Sequence, residues 1–144
     1  MYEVGDAPIL LTIFVIIAIA AVMGAYTAAL GYILTRWTRV HGALRWVLLM
    51  PAAIAALEWF RGWFLSGFPW LALGYTQTDA PLAGIAPLAG IYAVSFAVAL
   101  SSGALVVLLF GNSRARIAAG SAVVAVWVLG FALWGRGWTQ PTRR

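Results

Sequence analysis

The sequence contains no cysteine and no lysine among its 144 residues. Without cysteine the chain can form no disulfide and supplies no thiolate, the sulfur nucleophile of covalent catalysis. Without lysine it supplies no side-chain amine that could act as a base or form a Schiff base. These two absences exclude thiol-dependent and lysine-dependent chemistry from the residues of this chain.

Charged residues are also scarce, at 9% of the chain, whereas hydrophobic residues make up 64%. A soluble domain carries about a quarter charged residues, so this chain has too little polar surface to cover a water-soluble globule. The run from Ala7 to Leu34 contains no charge and exceeds the roughly 20 residues that a helix needs to cross hydrocarbon. Glu3 and Asp6 precede it where a signal peptide would be basic, so we interpret it as a retained membrane helix.

Four apolar segments predict an all-α integral membrane bundle of about four transmembrane helices. The segments cover about residues 7–35, 45–65, 82–110 and 115–134, and each is long enough to span a bilayer with some tilt. Together they define a predicted transmembrane helical domain over residues 1–134. The polar residues 135–144 are predicted to form a linker to an absent domain, and a frayed tail is the alternative interpretation.

The basic residues are all arginine and lie singly or in twos between the apolar segments, which argues against a nucleic-acid-binding face. The second connection, Ser66 to Pro81, holds Asp79 and no arginine. By the positive-inside rule the first and third connections are therefore predicted to be cytoplasmic, and both termini to lie outside. The lone histidine, His41, is interpreted as a solvated surface residue. The cationic residues of the two cytoplasmic connections are Arg36, Arg39, Arg45, Arg114 and Arg116.

Glu58 is the most unusual residue of the second apolar segment. It lies 13 residues beyond Arg45, or about 20 Å along a helix, and so within the outer part of the bilayer. An ionisable group there costs about 2.5 to 3.5 kcal/mol on insertion scales, which makes it a functional candidate by default. Arg61 shares its helix face and could neutralise it. Structural pairing and direct substrate contact both stay open.

Aromatic residues are concentrated where the second apolar segment ends. Gly67 and Pro69 both disfavour a helix, so a re-entrant-like break is predicted there, near the outer interface. Interfacial anchoring explains many aromatic belts, and a groove for a lipid tail is the second interpretation. The aromatic residues concerned are Trp59, Phe60, Trp63, Phe64, Phe68, Trp70 and Tyr75.

The order and spacing of this region resemble the signature of apolipoprotein N-acyltransferases. The matching positions are Glu58-Trp59-Phe60-Arg61-Gly62-Trp63, Gly67-Phe68-Pro69-Trp70, Gly74-Tyr75, Pro81-Leu82-Ala83-Gly84 and Ala86-Pro87. The run Trp138-Thr139-Gln140-Pro141 is similar to the segment where the family's leading helical bundle continues into a periplasmic nitrilase-like domain. The resemblance therefore extends over essentially the whole chain.

This resemblance implies a two-step acyl transfer in a bacterial inner (plasma) membrane. In the family, a cysteine thiolate supported by a glutamate and a lysine takes an acyl chain from a phospholipid as a thioester. The chain then passes to the α-amino group of a lipoprotein's diacylglyceryl cysteine. The implied partners are the membrane, phospholipid and diacylated lipoprotein, with no nucleic acid, cofactor or metal. A multi-pass protein with a periplasmic C-terminus is expected.

The sequence departs from the family because it holds neither the cysteine nor the lysine, so we expect no catalytic residue in it and no activity from it alone. It is expected to be a membrane-domain fragment that begins after the family's first helices and ends before the nitrilase-like domain. Trp138 matches a tryptophan that the family needs for activity, and an interfacial anchor is the alternative. The residues expected to shape the substrate-docking membrane face are Glu58, Arg61, Phe68, Pro69, Trp70, Tyr75 and Trp138.

Two other functions fit parts of the pattern. A small multidrug-type, proton-coupled transporter also has about four short helices and one embedded glutamate, here Glu58. Such a carboxylate works best without a cation beside it, so Arg61 disfavours this alternative. The other alternative is an acyltransferase-like membrane domain that precedes a different enzyme, which only downstream sequence would distinguish.

Overall fold

The structure is a computed structural model and describes residues 8–36, 38–64 and 72–136. Within these ranges all regular secondary structure is helical, and no strand is present. Three of the helices are long and apolar enough to cross a membrane. An all-α fold follows from the composition, because a backbone in lipid must satisfy its own hydrogen bonds within each helix. The prediction of an all-α membrane bundle is confirmed.

The chain divides into two compact units, residues 1–39 and 40–144. The first unit contains helix α1, Ile9–Arg36, whose 28 residues correspond to about 42 Å of helix. Most of its large apolar side chains are exposed, including Ile9, Phe14 and Tyr32. That exposure is expected of a helix whose solvent is lipid.

The second unit begins with a helical stretch that is shorter than predicted. A π-helical turn, Arg45–Leu49, leads directly into α2, Met50–Arg61. The turn precedes Pro51, which has no N–H and whose ring clashes with the carbonyl four residues earlier, so the helix widens locally. The predicted span of about 45–65 thus ends as α-helix at Arg61, and this stretch is not among the three long membrane-crossing helices.

Two 3₁₀ turns connect α2 to the rest of the second unit. The first turn is Leu73–Gln77 and the second is Pro81–Ile85, which runs directly into α3, Ala86–Phe110. Gly90 interrupts α3 with φ 74° and ψ 179°, a backbone region open essentially only to glycine.

Helix α4, Ser113–Leu133, follows α3 after a tight connection. Asn112 caps its N-terminus, because its side-chain Oδ1 accepts a 2.9 Å hydrogen bond from the Ala115 N–H. The observed ends of α3 and α4 lie within a few residues of the predicted segments 82–110 and 115–134.

Small residues bring the elements of the second unit close together. One buried cluster contains Leu82, Ile85, Val94 and Ala97, and a second contains Ala104, Val107 and Ala119. At Gly103 the backbone of α3 approaches the Trp46 carbonyl so closely that a Cβ would overlap it. Close backbone approach is the usual way in which helices pack in lipid, where the hydrophobic effect adds little between them.

Candidate functional site

Glu58 lies near the C-terminal end of α2 and is buried, with 8% of its surface exposed. Its Oε1 accepts a 2.8 Å hydrogen bond from the backbone N–H of Leu73, at the start of the first 3₁₀ turn. Its Oε2 is also buried and finds no hydrogen-bond partner within the described ranges. A buried carboxylate is costly unless bonded, so the bond to Leu73 makes Glu58 an anchor between α2 and the connection that follows it.

Ser95, on α3, provides a second anchor for the same turn. It is fully buried, and its Oγ accepts a 2.8 Å hydrogen bond from the backbone N–H of Gly74. A Cβ on Gly74 would lie only 2.6 Å from the Ile91 carbonyl oxygen, so only glycine lets the turn rest against α3 this closely. Two consecutive backbone N–H groups are thus bonded to side chains of two different helices. We call Glu58, Ser95 and the Leu73–Gly74 backbone the anchoring node.

Tyr75 projects from the turn that this node holds. Its side chain is 49% exposed, and its N–H donates to the Ala72 carbonyl at 3.1 Å. The hydroxyls of Thr76 and Thr78 donate to the carbonyls of Leu73 and Tyr75, each at 2.7 Å. The turn is therefore bonded both internally and to its neighbours, and it presents an aromatic side chain from a defined backbone.

Helix α2 ends next to this node. The Gly62 N–H closes the last turn on the Glu58 carbonyl at 2.9 Å, and a side chain at Gly62 would collide with the Tyr92 hydroxyl. Arg61 is the last α2 residue and is half-buried, in the position where a cation complements the helix dipole.

An aromatic cluster continues from the end of α2. Trp59 and Trp63 are largely exposed and meet edge to face with ring centroids 5.8 Å apart. Phe60 stacks on Phe64 at 4.7 Å and meets the Trp63 ring at 5.4 Å. These geometries are favourable for aromatic pairs. The described part of the predicted aromatic region thus forms one exposed surface beside the anchoring node.

The second 3₁₀ turn rests on the end of α4. A Cβ on Gly84 would lie 2.6 Å from the Trp134 backbone nitrogen, and one on Gly130 would lie 2.9 Å from the Pro81 oxygen. The two glycines therefore allow a backbone-to-backbone contact between the outer connection and the C-terminal end of α4.

The structure brings some of the predicted site residues together. Glu58 is bonded to the first 3₁₀ turn, which also contains Tyr75, and Arg61 lies about one helical turn from Glu58. The predicted residues Phe68, Pro69, Trp70 and Trp138 lie outside the described residues, as does most of the predicted break. Their roles stay predictions.

Sequence reasoning missed Ser95 and Tyr92. Ser95 is a polar residue inside a strongly apolar helix, and that feature was the only signal that could have marked it. Its partner, Gly74, is separated from it by 21 positions, so no local spacing links the two.

The described side chains are suited to binding and positioning a substrate, and they do not form a metal centre. Among the described residues no group of three or more histidine, aspartate or glutamate side chains could hold a metal ion. The three long apolar helices define a polytopic helical membrane protein. Its second unit holds a polar node, made by a buried carboxylate and a buried serine, beside an exposed aromatic surface.

Comparison with known proteins identifies the family. Residues 1–104 match the model of the apolipoprotein N-acyltransferase N-terminal domain. The chain is 40% identical over 144 residues to an apolipoprotein N-acyltransferase of Azotobacter vinelandii and 42% identical over 144 residues to one of Pseudomonas putida. Each alignment covers 98% of this chain and 28% of the relative. A Nitrosomonas europaea apolipoprotein N-acyltransferase is 34% identical over 142 residues, with the same coverages.

The chain therefore belongs to the apolipoprotein N-acyltransferase family. It spans a little over a quarter of the length of these curated relatives. The family resemblance noted in the sequence is confirmed.

Proposed function

We propose that this chain is the N-terminal membrane domain of an apolipoprotein N-acyltransferase. The complete protein would transfer an acyl chain from a phospholipid to the N-terminal diacylglyceryl cysteine of a lipoprotein. The observation that supports this proposal is the anchoring node. Glu58 and Gly74 of the node, and the neighbouring Tyr75, all belong to the stretch that resembles the family signature. The node bonds Leu73 and Gly74 to side chains of α2 and α3.

In this proposal the chain supplies a docking face and the chemistry comes from elsewhere. Glu58 and Ser95 act as positioning residues, because each bonds to the backbone of the turn that carries Tyr75. Tyr75 and the exposed Trp59 and Trp63 are suited to the boundary between headgroups and acyl chains, where amphipathic rings are favoured. Arg61, Phe68, Pro69, Trp70 and Trp138 would complete the face that meets lipid and catalytic domain.

The chain alone is proposed to be inactive. Acyl transfer through a thioester requires a thiolate, and the sequence has no cysteine. The proposed location is the bacterial inner membrane, with residues 135–144 leading to the periplasm, because the arginine-bearing connections favour the cytoplasm.

The transporter alternative has less support than the acyltransferase. A coupling carboxylate must exchange protons with a water-accessible path, whereas Glu58 is buried and bonded to the Leu73 backbone. Family membership also favours the acyltransferase.

A chimera tests the proposal directly. The matching segment of the Pseudomonas putida enzyme is replaced by this chain, and transfer from phospholipid to a diacylated lipopeptide is measured. We expect activity from the chimera and none from the chain alone in liposomes. A well-inserted chimera without activity, or turnover by the chain alone, would contradict the proposal.

The same chimera tests the positioning role. Ser95→Ala removes the acceptor for the Gly74 N–H, so we expect a raised KM for phospholipid with a smaller change in kcat. Ser95→Thr keeps a hydroxyl and is the matched control, expected to retain more of the affinity. An equal loss of affinity for phospholipid in both variants, or a lower kcat with an unchanged KM, would contradict the proposal that Ser95 positions the lipid-facing turn.

A further inference from the structure

A cavity lies at the other end of the second unit, away from the anchoring node. It has a volume of about 280 Å³ and lies where the start of the 45–61 helical stretch meets the α3–α4 connection. Its walls are mainly apolar, with a polar contribution near Asn112. The principal lining residues are Ala43, Trp46, Val107, Phe110, Asn112 and Ala115.

The residues that flank this cavity in sequence carry positive charge only. Arg45 lies between the lining residues Ala43 and Trp46, and Ala115 lies between Arg114 and Arg116. Among the described residues the acidic side chains are Glu58 and Asp79, of the anchoring node and the connection that follows it. Neither of these two carboxylates lines the cavity.

Arg116 is next in sequence to Ala115, a residue at the cavity rim. Its Nη2 donates a 3.1 Å hydrogen bond to the Leu109 carbonyl at the end of α3. A guanidinium carries five N–H donors, so this bond ties the group to the backbone of the residue before Phe110 and leaves donor capacity for an anion. The N-terminus of α4 lies at the same rim, with Asn112 as its cap, and its dipole adds favourable potential for negative charge.

A phospholipid with an anionic headgroup matches this combination of arginines and apolar cavity walls. Arginines between helices on the cytoplasmic side of a membrane favour acidic phospholipids, and an apolar cavity beside them can take the glycerol and first acyl carbons. Trp46 and Phe110 are exposed, at 40% and 83%, and both border the cavity. A soluble anion would use the arginines but would gain nothing from the apolar walls.

We propose that this cavity binds the headgroup region of an anionic phospholipid. The lipid phosphate contacts Arg114 and Arg116, and the adjoining hydrocarbon packs against Trp46 and Phe110. This inference goes beyond the proposed function and shares with it only the assignment of the arginine-bearing connections to the cytoplasm.

Native mass spectrometry of the complete chain in neutral detergent tests this site. Dioleoyl phosphatidylglycerol and dioleoyl phosphatidylcholine are titrated separately, and inorganic phosphate is a third ligand. We expect phosphatidylglycerol to bind at least tenfold more tightly than phosphatidylcholine, because only the former carries net negative charge. Equal affinity for the two lipids, or phosphate binding as tight as phosphatidylglycerol, would overturn the proposal.

Three variants locate the binding. Arg114→Gln should weaken phosphatidylglycerol binding about fivefold, the effect of one arginine at a membrane surface. Arg136→Gln removes the same charge beyond the end of α4 and should have no effect. Phe110→Ala should weaken phosphatidylglycerol without altering phosphate binding. Because both Arg114 and Phe110 are exposed, these variants should fold, which circular dichroism verifies; equal effects of Arg114→Gln and Arg136→Gln would reject the site.

Discussion

The two ends of the second unit handle polar groups in opposite ways. At the anchoring node, Glu58 and Ser95 are buried and bonded to backbone N–H groups at 2.8 Å. At the other end, Arg114 and Arg116 are exposed and flank Ala115, which lines a mainly apolar cavity. Buried groups act through short, directional bonds that depend on one backbone geometry, whereas exposed charges act through a field that salt screens.

This difference indicates which end of the unit stabilises the fold and which end attracts and orients lipid. A buried bond that is lost leaves an unsatisfied N–H in a low-dielectric environment. An exposed arginine that is lost changes little within the fold but weakens attraction to anionic lipid. Substitutions at the two ends should therefore separate into large effects on unfolding and large effects on lipid binding.

The largest effect is expected from Glu58→Ala. The Leu73 N–H loses its acceptor and a cavity forms, so the free energy of unfolding should fall by about 3 kcal/mol. Glu58→Gln keeps an oxygen acceptor and is the matched control, expected to lose less. Unfolding of the chain in mixed micelles by increasing SDS measures both. An alanine variant as stable as the parent chain would show that the node contributes nothing.

A smaller effect is expected from Gly84→Ala. Its Cβ would lie 2.6 Å from the Trp134 nitrogen, so the second 3₁₀ turn must move away from α4, at a cost of about 2 kcal/mol. Gly120→Ala is the control, because its Cβ would meet only Leu108 Cδ2, at 3.9 Å. The same SDS titration compares them, and similar stabilities would argue against a tight contact at Gly84.

The smallest effect on folding is expected from Arg114→Gln. The side chain is exposed, so the unfolding free energy should change by about 0.5 kcal/mol or less. The SDS midpoint measures this change. A loss of unfolding free energy as large as that of Glu58→Ala would show that the two ends do not differ in their contribution to stability.

Much of the fold could be predicted from the sequence. Two features of the sequence mark helices directly, the uncharged run of α1 and the arginine-bearing connection that separates α3 from α4. They do so because length and apolarity alone decide whether a helix can span lipid. The second segment was predicted to reach about residue 65, since Trp63 and Phe64 are as apolar as the helix before them, and α2 itself ends at Arg61. The residue after the end of α2, Gly62, packs against Tyr92, a contact between positions 30 apart that no local pattern indicates.

The candidate site was predicted less completely. The cost of a carboxylate in lipid marked Glu58, but helical spacing suggested Arg61 as its neighbour. The structure provides Leu73 as a partner, separated from Glu58 by 15 positions. Pairing with Arg61 and contact with substrate stay predictions alongside this structural role.

The sequence by itself determined that this protein is a helical membrane protein and which family it belongs to, because hydrophobic length and motif order are properties of the linear chain. Tertiary structure alone decided that Ser95 meets Gly74, that Glu58 meets Leu73, and that a cavity opens between Trp46 and Phe110. These contacts depend on how closely helices approach, and that distance is set by small residues that are far apart along the chain.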